Sequence, residues 1–294
     1  MIAQDSPQPG SAAAQSGGRA SCFSIGVIPG AVPWLLVADA AQPVPPQPPV
    51  PPVTGFSLPD AAGSFPFIPP DPVGDGIHLV LCPPGTPAAP GTVWRPARDA
   101  LACLEPTAQA VALRAIAVAN WRQRSPFCPA CGAPVEPDRE VTGWRCSVEL
   151  VAVFPRTDPC VITAVLDQDS KLLLSHNSGH AERMFTLVAG FVEAGESLED
   201  AVQRETLEEV GLALDQMRFL RSQPWPFPGS LMASFVALAK PGRIVVDGSE
   251  IVEAAWFTRA ELDQAISHGR ITLPMSYSVA RQTIEAWRAG DLTW

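Results

Sequence analysis

The stretch Gly190 to Leu212, GFVEAGESLEDAVQRETLEEVGL, constrains this chain more than any other. Ser197 can cap a helix by accepting a backbone N–H, Glu199 and Asp200 suit its positive end, and Gly211 can take the left-handed conformation that closes it. The pattern predicts a helix over 198–210. Inside it Glu205 and Glu209 stand four residues apart and Glu208 three from Glu205, so three carboxylates share one face. Like charges so placed repel by roughly 0.2–0.5 kcal/mol per pair, and a hard cation such as Mg²⁺ between them removes that repulsion. An ExxEE taken alone also describes a solvated acidic face, so its surroundings decide.

Those surroundings describe an acidic protein with room for more than one core. The chain has 294 residues, 47% of them hydrophobic, and a formal net charge of -10, which predicts two domains and argues against a broad basic surface for nucleic acid. Residues 1–20 are small and polar and read as a tail. Residues 21–105 read as a small N-terminal α+β domain, with short β-like runs such as Ile77 to Leu81 and a proline-rich excursion over 43–52, PVPPQPPVPP. Thr107 to Gln123 is Ala-rich and free of Pro and Gly, which predicts a helix capped by Thr107 and leading into a cysteine cluster, the whole segment spanning 106–153. From 154 to 294 the pattern predicts strands over 160–166, 171–174, 185–188, 231–237 and 252–257, the carboxylate helix, and a closing helix over 278–289, an α+β sandwich. The start has no secretory pattern, the apolar run Ile25 to Val37 is broken by Pro29 and Pro33, and seven scattered cysteines suit reduced thiols. A cytoplasmic protein with no membrane partner is the expectation.

The spacing of Gly190, Glu196, Arg204-Glu205, Glu208-Glu209 and Gly211 resembles the Nudix box, and residues 95–290 as a whole resemble the NAD(H) pyrophosphatase branch of the Nudix hydrolases. One departure is Thr206, where the family carries an aliphatic residue; a buried hydroxyl there needs a hydrogen-bond partner, and a stability penalty is expected. The resemblance implies a Nudix α/β/α sandwich with a mixed sheet, preceded by a zinc-ribbon-like segment. It implies that Glu205, Glu209, the backbone carbonyl of Ala189 and the later Glu250 bind Mg²⁺ or Mn²⁺, with Glu208 close by and Arg204 orienting the carboxylates. Such ions neutralise diphosphate oxygens and activate water at neutral pH. Glu209 is the residue expected to combine ligand and base.

A second motif bears on the substrate. Gln223, Pro224, Trp225, Pro226, Phe227, Pro228, Gly229 and Ser230 form a proline-stiffened segment inside Ser222 to Met232 that presents two aromatic rings at low entropic penalty. The same segment resembles the stretch that separates NAD(H) pyrophosphatases from other Nudix enzymes, which implies NADH or NAD⁺ as substrate. Gln223 and Ser230 can hydrogen-bond a base. The resemblance further implies that Phe191 stacks on a substrate ring, that Phe154 replaces a partner-chain aromatic in the family's homodimer, and that Ala280 and Arg98 touch substrate. The alternative for each isolated aromatic is a place in the core.

Cys128 and Cys131 form a CxxC, and Cys146 follows as in a zinc ribbon. The family's second CxxC reads CSVE here, with Glu149 in the last position. A Cys₃Glu zinc site and a metal-free ribbon with free thiols both remain open. Cys22, Cys82, Cys103 and Cys160 read as small core residues, and the four histidines carry no catalytic spacing.

Hydrolysis of NAD(H) to nicotinamide mononucleotide and AMP is therefore the leading expectation, with removal of NAD caps from RNA behind it. Its rivals are a pyrophosphatase for another nucleoside diphosphate derivative and a Nudix scaffold that senses a nucleotide without cleaving it. A zinc-ribbon nucleic-acid adaptor would need a fourth ligand and a basic surface that this sequence lacks.

Overall fold

The computed structural model describes residues 25–28, 34–38, 79–81, 92–104, 106–138 and 143–294. The tail expected over 1–20, the proline-rich run 43–52, Cys22 and Cys82 lie outside them. The N-terminal part contributes β1 (Ile25–Ile28), β2 (Trp34–Ala38), β3 (Leu79–Leu81) and β4 (Thr92–Pro96), joined in the order β3-β1-β2-β4. Helix α1 (Ala97–Ala102) follows β4 directly, and α2 (Pro106–Arg124) follows it. The second helix begins at Pro106, so Thr107 lies inside its first turn rather than capping it. Proline suits that place, because its fixed φ is already helical and its missing N–H would have had no partner.

A three-stranded ribbon comes next: β5 (Val135–Asp138), β6 (Gly143–Cys146) and β7 (Ala152–Val153). Its small core gathers Trp121 of α2, Trp144, Cys128, Cys146 and Val153. The two tryptophan rings lie 5.7 Å apart.

The remaining elements are β8 (Asp158–Leu166), β9 (Leu172–Asn177), β10 (Val188–Phe191), α3 (Leu198–Val210), β11 (Leu214–Trp225), β12 (Ser230–Ala239), β13 (Ile251–Phe257), α4 (Arg259–Ser267) and α5 (Val279–Ala289). They build a mixed sheet in the order β11-β12-β8-β9-β13, with β10 also paired to β8; β8 and β12 run parallel and the other pairs antiparallel. Central β8 is apolar along nearly its whole length because it is covered on both faces. Val161 and Val165 point into a core with α3, whereas Ile162, Ala164 and Leu166 point into a core with α4 and α5. That alternation is the period of two expected of a strand, and it makes the unit an α/β/α sandwich.

Sequence and structure part in three places here. Phe185 to Val188 is not a strand: Phe185 and Leu187 are buried beside β9 through the Ser175–Thr186 bridge, and the strand proper begins at Val188, where pairing with β8 starts. β11 is an edge strand, largely exposed and broken by two register shifts, so it carries no apolar period. α4 is short, yet Thr258 and Glu261 form a reciprocal capping box that marks its start. In α5, Ser278 is the cap and Trp287 is fully buried, its indole N–H donating to the Ser170 carbonyl at 3.0 Å. No helix among the described residues is long and apolar enough to cross a membrane.

Candidate active site and metal centre

Helix α3 forms as its sequence dictates. The Ser197 hydroxyl accepts the Asp200 N–H at 3.1 Å, and Gly211 closes the helix at φ 71°. A Cβ at Gly211 would lie 2.9 Å from that of Val245, so the glycine also admits the 245–250 loop against the end of the helix. Thr206 is fully buried, and its hydroxyl donates to the Val202 carbonyl at 2.7 Å. The partner that the sequence reading required is thus supplied one turn back.

Arg204 is the organiser of the acidic face. Its Nε and Nη2 grip both oxygens of Glu196 at 2.7 and 2.9 Å, its Nη1 reaches Glu205 at 2.8 Å and Glu208 at 3.0 Å, and Nη2 also donates to the Phe191 carbonyl at 2.8 Å. All five guanidinium N–H groups are therefore used. The grip holds Glu196 down to about 2, with help from the Glu193 N–H. Gly190 is where β10 passes the helix: a Cβ there would overlap the Glu205 carboxylate.

Glu209 lies deepest. It is 5% exposed, and its Oε2 has no hydrogen-bond partner. Burial, then the charges of Glu205, Glu250 and Asp247, push it up to about 8, against a backbone hydrogen bond from Ala189. Within a strand the N–H and C=O of one residue point to the same side, so the Ala189 carbonyl leaves β10 on the side of the N–H that Glu209 accepts. Burial also raises Glu205, against the pull of Arg204. Glu250 enters from the loop before β13 and accepts from Asn177 Nδ2 at 3.0 Å. Asp247 shapes that loop by accepting the backbone N–H groups of Ser249, Glu250 and Ile251, which hold it well below the usual carboxylate range.

A buried carboxylate oxygen without a partner, raised by three more carboxylates, is a hard-oxygen donor set, and it fits Mg²⁺ or Mn²⁺. Cys160 lies on the strand next to this set. Burial, then the charges of Glu205 and Glu209, drive its thiol up to about 12, so it is a buried core residue, as expected, but one that borders the acidic site. Cys103, expected in a core, is exposed instead, its thiol donating to the Asp99 carbonyl at the end of α1.

The proline motif is a hairpin end rather than a long loop: β11 runs through Pro224 to Trp225, and β12 starts at Ser230. Strand pairing lines up Phe191, Cys160, Met232 and Gln223 across four neighbouring strands. This registration puts the motif at the same end of the sheet as the end of β10. Trp225 and Phe227 meet edge to face at 5.3 Å, Trp225 stacks on Tyr277 at 5.8 Å, and Arg98 lies 5.0 Å over the Phe227 ring. Both aromatics pack on the core of α1 and α2 while staying partly exposed.

Asn120 of α2, buried, donates to the carbonyls of Pro226 at 2.7 Å and Pro228 at 3.1 Å. Gln223 is engaged at both ends, donating to Tyr277 and accepting from the Val279 N–H, so it ties the hairpin to the start of α5. Ser230 and Ala280 are buried, the latter in the core, whereas Phe191 and Phe154 are 57% and 66% exposed. Asn120, Asn177, Asp247 and Tyr277 were not singled out by sequence. Asp247-Gly248-Ser249 is a turn signal that marks Asp247.

In the ribbon, Cys128, Cys131 and Cys146 bring their sulfurs within 4.8 Å of one another, with Cys131 and Cys146 at 3.4 Å. Glu149 is exposed, stands outside this group, and contributes its backbone N–H to Cys146 Sγ at 3.3 Å.

Comparison with known proteins agrees with this picture. Residues 156–275 match the NUDIX domain. The chain is 42% identical over 197 residues to the NAD-capped RNA hydrolase NudC of Mycobacterium bovis (strain BCG / Pasteur 1173P2), covering 63% of this chain and 62% of that protein. It is 39% identical over 172 residues to the NAD-capped RNA hydrolase NudC of Salmonella agona (strain SL483), covering 58% and 63%. The chain thus aligns with less than two thirds of the length of either relative. Among solved structures, a NUDIX hydrolase from Nitrosomonas europaea is similar with a TM-score of 0.44 and 22% identity, over 55% of this chain and 90% of that one.

Proposed function

From a chain that carries a Nudix domain over residues 156–275, we propose hydrolysis of the diphosphate bond of NAD(H), giving nicotinamide mononucleotide and AMP, in the free dinucleotide and at the 5′ end of NAD-capped RNA. The observation that carries this reading is the buried, unpartnered Oε2 of Glu209, which feels the charges of Glu205, Glu250 and Asp247, on a helix face fixed by Arg204. Glu205, Glu209, Glu250 and the Ala189 carbonyl are the groups that would hold Mg²⁺ or Mn²⁺. Bound there, such an ion supplies charge neutralisation on the diphosphate oxygens and a water acidic enough to ionise near neutral pH.

The protein's own residues do the rest. Arg204 fixes the orientation of Glu205 and Glu208 on the helix face, and Glu209 offers an oxygen for the proton of the attacking water. Phe191 offers an open ring face for stacking. Trp225 and Phe227, braced by Tyr277, Arg98 and Asn120, wall the neighbouring space. The names of the two relatives favour a nicotinamide dinucleotide over other nucleoside diphosphates. A homodimer with Phe154 at the shared edge, and a cytoplasmic location, belong to the same reading.

The test compares initial rates on NADH, NAD⁺, ADP-ribose and NAD-capped RNA with Mg²⁺ or Mn²⁺, for wild type and Glu209→Gln. Turnover of a nicotinamide substrate that falls by orders of magnitude in Glu209→Gln, with nucleotide binding retained, is the expected result. A wild-type protein that binds these nucleotides and cleaves none of them is a sensor, and the reading fails.

A further inference from the structure

Glu250 differs from the other acids of the site in how it is held. Glu205, Glu208 and Glu209 stand on one helix, whereas Glu250 comes from the loop between β12 and β13. The main chain of that loop is fixed from two sides. Asp247 accepts the N–H groups of Ser249, Glu250 and Ile251. From the end of β9, the Ser178 N–H donates to the Glu250 carbonyl at 2.8 Å, and its hydroxyl donates to the Ser249 carbonyl at 3.1 Å. These bonds place the Glu250 backbone and leave its side chain unaimed. Asn177 supplies the aim, its Nδ2 donating to Glu250 Oε1 at 3.0 Å.

Asn177 is itself held in place. It pairs with Ile251 in the register of β9 and β13, so its side chain and the Glu250 loop leave neighbouring strands at the same end of the sheet. Its carbonyl accepts the His180 N–H at 3.0 Å, and its Oδ1 accepts the Gly179 N–H at 2.8 Å. With the oxygen engaged by a donor, the amide nitrogen is the end that faces Glu250. A Cβ at Gly179 would lie 3.2 Å from Oδ1, so the glycine keeps this turn tight.

The kind of donor matters as much as its position. Arg204 grips both oxygens of Glu196 and sets a full positive charge against them. A neutral amide instead directs Glu250 through one of its roughly four lone-pair sites and leaves the negative charge for a cation.

We propose that Asn177 is a positioning residue for the divalent ion, its amide holding the Glu250 carboxylate toward the acidic face of α3. The inference rests on the assignment of Glu250 to the ion made above. Orientation of a ligand by an outer hydrogen bond raises affinity because the free carboxylate already stands as the bound one does.

Mn²⁺ binding to the full-length protein is titrated without substrate, from the electron paramagnetic resonance of the free ion. The variants are Glu250→Ala, Asn177→Ser, Asn177→Ala and the double variant Asn177→Ser with Glu250→Ala. Serine still accepts the Gly179 N–H in the same kind of turn, but its hydroxyl is too short to reach Glu250 as well. Asn177→Ser and Asn177→Ala should each weaken binding by about 10–100-fold, the usual effect of losing a partner that orients a metal ligand. In the Glu250→Ala background the serine change should lose most of that effect, since a residue that acts through Glu250 then has nothing to act on. A loss of less than about tenfold in Asn177→Ser overturns the proposal, even where Asn177→Ala binds weakly, because the turn alone is then at work. An effect that keeps its full size without Glu250 overturns it too. Should Glu250→Ala bind as wild type does, the assignment of Glu250 fails and carries this inference with it. A weakened Glu250→Ala beside an unchanged Asn177→Ser sinks the inference alone.

Discussion

Asn120 is the sharpest point at which to test how the proline hairpin is held. Its amide is buried and donates twice, to the carbonyls of Pro226 and Pro228 at 2.7 and 3.1 Å, so one side chain joins α2 to the tip between β11 and β12. Asn120→Ala deletes both bonds, each contributing about 1 kcal/mol net, and leaves two carbonyls facing protein, of which that of buried Pro226 has little access to water. Adding roughly 1–2 kcal/mol for the stranded acceptor gives a loss of about 3–4 kcal/mol, or on the order of 6–16 °C in Tm for a domain of this size. Asn120→Asp keeps the shape but removes both donors and sets a carboxylate against two carbonyl oxygens, so it should be the worse variant. Thermal unfolding followed by near-ultraviolet circular dichroism reads the stability. Under the proposed function, KM for NADH rises as Trp225 and Phe227 lose their brace. A Tm for Asn120→Ala within about 1 °C of wild type, well inside the shift expected for lost buried hydrogen bonds, would refute the reasoning.

The metal-free protein should lose stability with rising pH through Glu209. The folded state raises this carboxyl from 4.5 to about 8, so its contribution is whole below pH 4.5 and is lost by pH 8. The loss amounts to a few kcal/mol at most, and denaturant melts of EDTA-treated wild type should show a slope that Glu209→Gln flattens and added Mn²⁺ opposes. Gly190→Ala places a methyl on the Glu205 carboxylate, so metal-dependent turnover should fall by orders of magnitude while overpacking costs only about 1–3 kcal/mol in a melt. Wild-type rates in that variant would mean Glu205 is free to move without penalty. Leu150→Gly should relieve the left-handed strain of this exposed residue and raise stability by up to about 1 kcal/mol in a denaturant melt; a destabilised variant would refute the strain.

The carboxylate helix was fully legible because each of its signals is local: a cap, acidic residues in the first turn, a terminal glycine. β8 was legible for a different reason, since burial on both faces leaves a near-continuous apolar run. β11 was not, because an exposed edge strand with two bulges has no period to read. The site divides in the same way. Glu205, Glu208, Glu209 and Arg204 sit on one helix and reveal one another by spacing. Asn177 and Asn120 act through partners far along the chain, as in the bond from Asn120 to Pro226, and no local pattern records such a pairing. Gln223 shows the converse. Its motif is obvious in sequence, yet both ends of its amide are engaged by the backbone at the start of α5.

The saturated guanidinium of Arg204 links two events that happen at different atoms. It bonds the main-chain oxygen of Phe191, whose ring lies open, and through its other nitrogens it holds the acids of the helix. Under the proposed function, a nucleotide ring settling on Phe191 and a cation settling among the acids would therefore act on a common rigid plane. Whatever factor one ligand gains from the presence of the other must be returned in full, so metal and dinucleotide should tighten each other's hold by equal measure. Lysine, with three donors on a flexible stem, would weaken that coupling even though it keeps the charge.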